Sequence, residues 1–416
     1  MYTVLTRITF TQQPSKTFPT RNQTIIYNFC HDFGFKSSWR DLTDNGEITL
    51  PKNVSFVDKF GRKIDTSGTN INIGGFSSNP PIFLKGDSIT IEWGYSYNQN
   101  GNEVSPLTTI FTGYISEVTS KKPFVLKIED NMYILKQYPA KGGNNNFFSG
   151  AKYTVEKMLA ELISNAGLSF TVNQTTSTLL GDFKVSNLTI AQVISELQKL
   201  YHFEAYFRGN ELRCGSQVYF PGDDGNLTPG YGPKYYKFIF QQNIISDELD
   251  YKRKDDIVLS AVCTNTIEVP SNKQTKDGKT KTVKQKLEVL ITFQNGSAEP
   301  TIFIPTKTNP IPENEGGERH KFYFLGAKTN QDLINLGTAQ LKKYYYTGFH
   351  GKFTTFGINF IQFGNYVDIL DAIMPERNGR YVVKSVEYKG GVEGLRQTIE
   401  LEYLVANLDA KGNVIQ

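Results

Sequence analysis

The feature that most constrains this chain is a set of three short strand patterns that occurs twice. The first set runs IFLKGDSITI, FTGYISEV and FVLKIED; the second runs FIQFGNYVDIL, RNGRYVVKSV and QTIELEY. Each opens on a glycine-led turn, Gly86-Asp87 in one and Gly364-Asn365 in the other, followed by alternating aliphatic residues. Each continues through a tyrosine-bearing strand, around Tyr114 and Tyr381, into a strand that places an acid after an isoleucine. Alternation at period two is the signature of a half-buried strand. Duplication of such a block predicts two similar β-barrels in one chain. Val125 and Ile128 break strict alternation in the third strand of the first set, the mark of a bulge or a buried run.

Between the two sets the period changes. Val155, Met158, Leu159, Leu162, Ile163 and Ala166 fall on one helical face, and Gly167 stands where a helix ends in the left-handed conformation. Ile190, Val193, Ile194, Leu197 and Tyr201 line a second helix, which Thr189 and Gln192 open as a capping box. The hairpin FEAYF–RGN–ELRCG follows, with Phe203, Ala205 and Phe207 facing Leu212 and Cys214. The expected order is a first β-barrel over 1–138, a small α+β module over 139–216 and a second β-barrel over 217–416. A length of 416 residues suggests about three domains. Within the last part, alternation over about 257–293 predicts one long hairpin. Its turn is Asp277-Gly278, in a segment holding six lysines that include Lys276, Lys279 and Lys281. A helix is expected over about 330–346, with Ile334, Gly337, Leu341 and Tyr345 on one side, and Asn378-Gly379 reads as a further hairpin turn.

Composition agrees with a mainly β chain. Charged residues are 21%, with 36 glycines, 23 tyrosines and 29 phenylalanines. The formal charge of +4 lacks the strong basic bias of a dedicated nucleic-acid binder, and 38% apolar residues exclude a disordered chain. Cys30, Cys214 and Cys263 are odd in number and far apart, which fits folding in a reducing compartment such as the cytoplasm. The N-terminal Val4, Thr6, Ile8 and Phe10 alternate as a strand does, and no run is long enough to insert in a membrane.

No chemistry stands out. His31, His202, His320 and His350 form no paired ligand spacing, so no metal and no cofactor is expected. Cys30-His31-Asp32 would alternate faces of a strand. Gly278-Lys279-Thr280 copies the end of a phosphate loop, but Lys273 stands where its first glycine belongs. Asp223-Asp224-Gly225-Asn226 lacks the later glutamate of a calcium loop, and Glu117 with Glu129 is a carboxylate pair of a kind any β protein offers. The chain is not expected to be an enzyme. The lysine hairpin is either a solvated edge guard or a contact arm for an acidic neighbour or passing phosphates. Tyr235-Tyr236 and Tyr344-Tyr345-Tyr346 are candidates for an assembly interface, with core packing an equal alternative.

Three stretches carry a family resemblance. They are LKGDSITIEWGY through the segment ending LKQYP; VSNLTIAQVISELQKLYHFEAYFRGNELRCG; and YYYTGFHGKFTTFGINFIQFGNYVDILD with RNGRYVVKSVEYKGGVEGLRQTIEL. In that order they resemble the baseplate hub family of phage tails and contractile injection machines, the late-control D family. About half the chain is covered. The resemblance implies a homotrimer in which each chain gives two tail-tube-like barrels. The resulting pseudo-sixfold ring would mate with a tail tube, receive a separate spike protein and other baseplate proteins, and leave a lumen for the tape measure and for DNA during genome ejection. It implies a virion structural protein and a symmetry adaptor. Asn365, where the first set has Asp87, departs from a strict repeat, and no spike or lysozyme extension is recognisable after residue 405. The alternative is a multidomain β-rich module that binds glycans through exposed aromatics.

Overall fold

A computed structural model describes residues 3–50, 56–57, 63–64, 81–99, 102–104, 106–119, 124–149, 152–174, 182–201, 204–215, 235–274, 280–314, 316–324 and 327–415. The first part contains β1 (Thr3–Thr11), β2 (Thr24–Tyr27), β3 (Asp32–Ser38), β4 (Asn45–Leu50), β5 (Phe56–Val57), β6 (Lys63–Ile64), β7 (Ser88–Gln99), β8 (Asn102–Val104), β9 (Leu107–Val118), β10 (Phe124–Glu129) and α1 (Met132–Gln137). The middle has β11 (Phe147–Phe148), α2 (Val155–Asn165), β12 (Thr171–Gln174), β13 (Phe183–Lys184), α3 (Ile190–Tyr201), β14 (Glu204–Arg208) and β15 (Glu211–Gly215). The rest has β16 (Tyr235–Ile239), β17 (Ile244–Lys252), β18 (Leu259–Gln274), β19 (Thr280–Phe293), β20 (Thr301–Phe303), β21 (Glu318–Tyr323), α3's successor α4 (Asn330–Lys342), β22 (Gly348–Phe356), β23 (Tyr366–Leu370), β24 (Gly379–Gly391) and β25 (Arg396–Asn407).

The chain is mainly β with a small α+β part, but its sheets do not close into barrels among the described residues. The two repeated strand sets merge into one open sheet in the order β17-β22-β25-β24-β3-β4-β10-β9-β7-β1-β2. The seam is β3 against β24, antiparallel, from Ser385 opposite Ser38 to Gly391 opposite Asp32. Closure into two rings would leave each set its own interior. Instead both wrap one interior, because aromatic side chains from both sides of the seam interlock. Tyr388 stacks on its cross-strand partner Phe35 at 4.6 Å, and Trp93 meets the edge of Tyr388 at 5.7 Å. Ile8, Phe10, Phe33 and Ile128 from the N-terminal strands share this core with Phe353, Val386 and Ile399 from the C-terminal strands.

Two smaller cores flank it. One joins α2, α3 and the β12-β15-β14 sheet through Leu159, Leu162, Val193, Leu197, Ala205 and Leu212. The other joins the β18–β19 hairpin to α4 through Cys263, Val289, Ile291, Leu333 and Leu341. Gly337 is required in that contact, since a Cβ there would sit 2.3 Å from Cys263 Sγ.

The local expectations over the α+β part stand. Thr189 and Gln192 exchange the two capping-box bonds, at 2.8 and 3.2 Å, and Gly167 has φ +70°. Ala205 faces Cys214 and Phe207 faces Leu212; Phe203 lies outside the described residues. The β10–β9 register slips between Lys127 and Ile128, a bulge where alternation failed. Three expectations need correction. Helix α1 follows β10 directly, within a stretch read as strands, because six residues are too few to show a helical period. Helix α4 ends at Lys342, so Tyr344, Tyr345 and Tyr346 lie beyond it. Asn378-Gly379 is not a tight hairpin turn: Asn378 has φ −62°, and its side chain clips Asp371 N at 2.7 Å and Asp409 O at 3.1 Å. A type I′ turn needs positive φ at both central residues.

Candidate functional site

The two repeat turns are built from the same hydrogen bonds. Gly86 N donates to Ile115 O at 2.8 Å, Ile115 N to Asp87 O at 2.9 Å and Asp87 N to Leu84 O at 3.1 Å. In the second set Gly364 N donates to Val383 O at 2.8 Å, Val383 N to Asn365 O at 3.0 Å and Asn365 N to Gln362 O at 3.1 Å. The side chains match too: Leu84 N donates to an Asp87 carboxylate oxygen at 2.8 Å, and Gln362 N to Asn365 Oδ1 at 2.9 Å. Both glycines have positive φ, +95° and +80°. This equivalence pairs Ile115 with Val383, so Tyr114 corresponds to Val382 and the two tyrosines are one residue out of register. The Asp-to-Asn difference has a local cause. Asp87 is buried and forked by Arg21, whose guanidinium also donates to Pro81 O, Ile82 O and Gln13 O. A charged side chain is held in such a place only with a partner of opposite charge and full hydrogen bonding.

The three cores meet at a polar junction. Arg40, from the β3–β4 connection, donates to Glu402 of β25 and lies 3.3 Å from the Tyr344 hydroxyl, which itself donates to Glu402 at 3.1 Å. Glu204, at the start of β14, faces the same charges. Burial first, with Glu402 and Asp41 adding to it against Arg40, pushes its carboxyl up to about 8. Beside this point lies a cavity of about 480 Å³ bordered by Tyr344, Tyr346, His320 and His350. His350 stacks on Tyr346 at 4.4 Å and His320 on Tyr344 at 5.1 Å.

A second polar cluster roots the α+β part. Asp44 accepts from Ser37 Oγ and from Ser38 N, and Asp130 caps α1 by accepting from Met132 N at 3.0 Å. Burial raises both carboxyls, Asp44 to about 6 and Asp130 well above the ordinary carboxylate range, with the neighbouring Asp44 adding to the latter. Arg208 of β14 crosses to the second strand set, donating to Phe363 O at 2.6 Å with its guanidinium 3.7 Å over the Phe363 ring.

These raised carboxyls set a pH dependence. A carboxyl whose folded value exceeds its unfolded one takes up a proton on folding. Its stabilising effect is full below the unfolded value and is lost as pH rises through the folded value. For Glu204 that window runs from its ordinary 4.5 to about 8. The urea unfolding free energy is therefore expected to fall by on the order of 1 kcal/mol from pH 6 to pH 8. Glu204→Gln should flatten that part of the profile; an unchanged slope would refute the assignment.

The residues singled out from sequence are dispersed. Tyr345 and Tyr346 are buried, Tyr345 stacked on Phe293 at 4.9 Å, and Tyr344 is half-buried, so all three pack against the chain's own cores. Tyr235 is exposed, against Tyr366 and the Arg380 guanidinium. Lys276 and Lys279 lie outside the described residues, as do Asp277-Gly278 and Asp223 to Asn226, and of Lys281 only the backbone is described. The β18–β19 ladder reaches Gln274 opposite Thr280. Cys30 is buried, which pushes its thiol up to about 12, while His31 and Asp32 pair at the surface 2.8 Å apart. Glu117 and Glu129 each pair with a lysine, Lys127 and Lys136. Among the described residues no three His, Cys, Asp or Glu side chains come together as metal ligands, and no helix is long and apolar enough to cross a membrane. Sequence reasoning missed Arg21, Arg40, Arg208, Glu204 and Glu402; their partners lie tens to hundreds of residues away, so no spacing signals them.

No protein-family model matches the sequence, and no curated protein matches it. Solved structures do. The chain is similar to the tail protein from Neisseria meningitidis MC58, with a TM-score of 0.50, 11% identity and 96% of each chain covered. It is also similar to the 43 kDa tail protein of prophage MuSo2 from Shewanella oneidensis, with a TM-score of 0.49, 11% identity, and 96% of this chain and 98% of that one covered. Over 96% of its length, the chain shares its fold with the tail protein from Neisseria meningitidis MC58.

Proposed function

We propose that the chain is a structural baseplate hub of a phage tail, acting as a homotrimeric ring. The observation that carries this reading is the pair of equivalent turns, Gly86-Asp87 and Gly364-Asn365, each leading into strands of one continuous sheet. Three such chains would present six like units to a sixfold tail tube and only three copies of everything else to a separate spike. The lumen would pass the tape measure and DNA, and the assembly would sit in the virion after synthesis in the host cytoplasm. Exposed apolar side chains at both ends of the β24–β25 pair support a part stacked between neighbours. Ile358 and Val392 lie at the hairpin end, and Ile373, Met374 and Ile415 at the other, about 40 Å away along the strand. Contiguous apolar patches on a protein surface mark contact sites. Enzymatic activity has no place in this reading. The glycan-binding alternative draws no support from Tyr344, Tyr345 and Tyr346, which face inward.

Light scattering with negative-stain imaging of the purified chain is expected to show a trimer with threefold symmetry and a central opening. A monodisperse monomer that docks singly onto tail tubes would refute the stoichiometry. The lysine hairpin is proposed as a contact arm. In the same assay, changing Lys276, Lys279 and Lys281 to Glu should weaken assembly without unfolding the chain, and undiminished assembly would leave the arm as a solvated edge.

A further inference from the structure

The junction cavity is more than a gap between cores, because two of its lining residues, Glu402 and His350, each carry a buried polar atom without a hydrogen-bond partner. Glu402 has a side chain only 2% exposed; Arg40 and Tyr344 occupy its Oε1, and Oε2 meets no hydrogen-bond partner. His350 Nε2 is likewise buried without a partner, and burial followed by the Lys252 charge lowers the pKa of that imidazole, keeping it neutral. A buried carboxylate oxygen left without a donor is unfavourable, so such a site favours a guest that brings one. The charges around the cavity agree. Arg40 serves Glu402, Lys384 serves Glu400, and Glu318 meets His320 at 3.1 Å; with Lys252 and Asp256 counted, the acidic side chains lining the cavity outnumber the lysines and arginine by one. The walls are two stacked ring pairs, His320 on Tyr344 and His350 on Tyr346. A carboxylate acceptor, excess negative charge and aromatic faces together make the recognition chemistry of an organic cation.

We propose that this cavity binds one guanidinium or ammonium group, with an N–H donated to Glu402 Oε2 and the aromatic pairs as walls. The group is either a free small amine or an Arg or Lys side chain inserted by a partner protein. The inference does not depend on the oligomeric state proposed above. The test is calorimetric titration of the full chain with agmatine, with a capped Gly-Arg-Gly peptide and with glutarate as the anionic control. Saturable binding of one or both cations is expected at one site per chain, with none of glutarate. Agmatine alone identifies the free amine as the source; peptide binding at least as tight identifies an inserted side chain. Glu402→Gln should weaken binding about tenfold or more, since a charge-assisted bond becomes a neutral one. Should that variant fail to fold, Glu318→Gln on an exposed side chain should weaken binding about threefold at low salt. Absence of saturable cation binding, equal binding of glutarate, or unchanged affinity in whichever variant folds would overturn the proposal.

Discussion

Replacing Asp87 with Asn is expected to destabilise the chain by about 3–5 kcal/mol, although Asn does the same work in the second repeat. The cost does not come from the turn. Asn can still accept from Leu84 N, as Asn365 accepts from Gln362 N. It comes from Arg21, which is buried at 1% side-chain exposure and would keep its charge without a counter-ion. The double variant Arg21→Met with Asp87→Asn removes that charge and turns the first turn into a copy of the second. It should recover most of the loss, because replacing both members of a buried pair is far less costly than removing one. Urea denaturation of the two singles and the double closes the cycle. Equal loss in all three would show that the turn, not the ion pair, carries the stability.

The second large effect belongs to the seam. Tyr388 is fully buried, stacks on Phe35, meets Trp93 and Phe360, and donates its hydroxyl to Ile361 O. Tyr388→Ala should cost about 3–5 kcal/mol, the usual loss for a large aromatic in a closed core. Tyr388→Phe keeps the ring and orphans the carbonyl, for about 1–3 kcal/mol. The seam also predicts where the loss appears. If both repeats share one core, Tyr388→Ala should lower amide-exchange protection in β3 and β7 as well as in β24. Loss confined to β24 and β25 would mean that the two sets fold as separate units.

These two sites show what kind of information each level holds. The repeat turns were legible because a glycine with positive φ followed by Asp or Asn leaves a local mark, and the matching hydrogen bonds lie on those residues. The capping box at Thr189 and the face of α2 were legible for the same reason: their partners sit three or four residues away. Arg21 carries no such mark, since its partner is 66 residues on, and Arg40 meets Glu402 across 362. Helix α1 was hidden by brevity. Asn378 misled because the dipeptide Asn-Gly marks a tight turn only when its φ angles are positive, and Asn378 instead uses its side chain to hold two distant backbone groups.

By itself the sequence determined the strand and helix periods, the repeated turns, the place of the α+β part and the long hairpin. All of these follow from contacts between near neighbours in the chain. Only the tertiary structure decided that the two strand sets join as one open sheet, that Tyr344, Tyr345 and Tyr346 face inward, and that three cores meet around Glu402. Pairing β3 with β24 sets Phe35 against Tyr388 across more than three hundred residues. Register at that distance is chosen by which side chains fill a common interior, and alternation within a strand is the same whichever partner it takes.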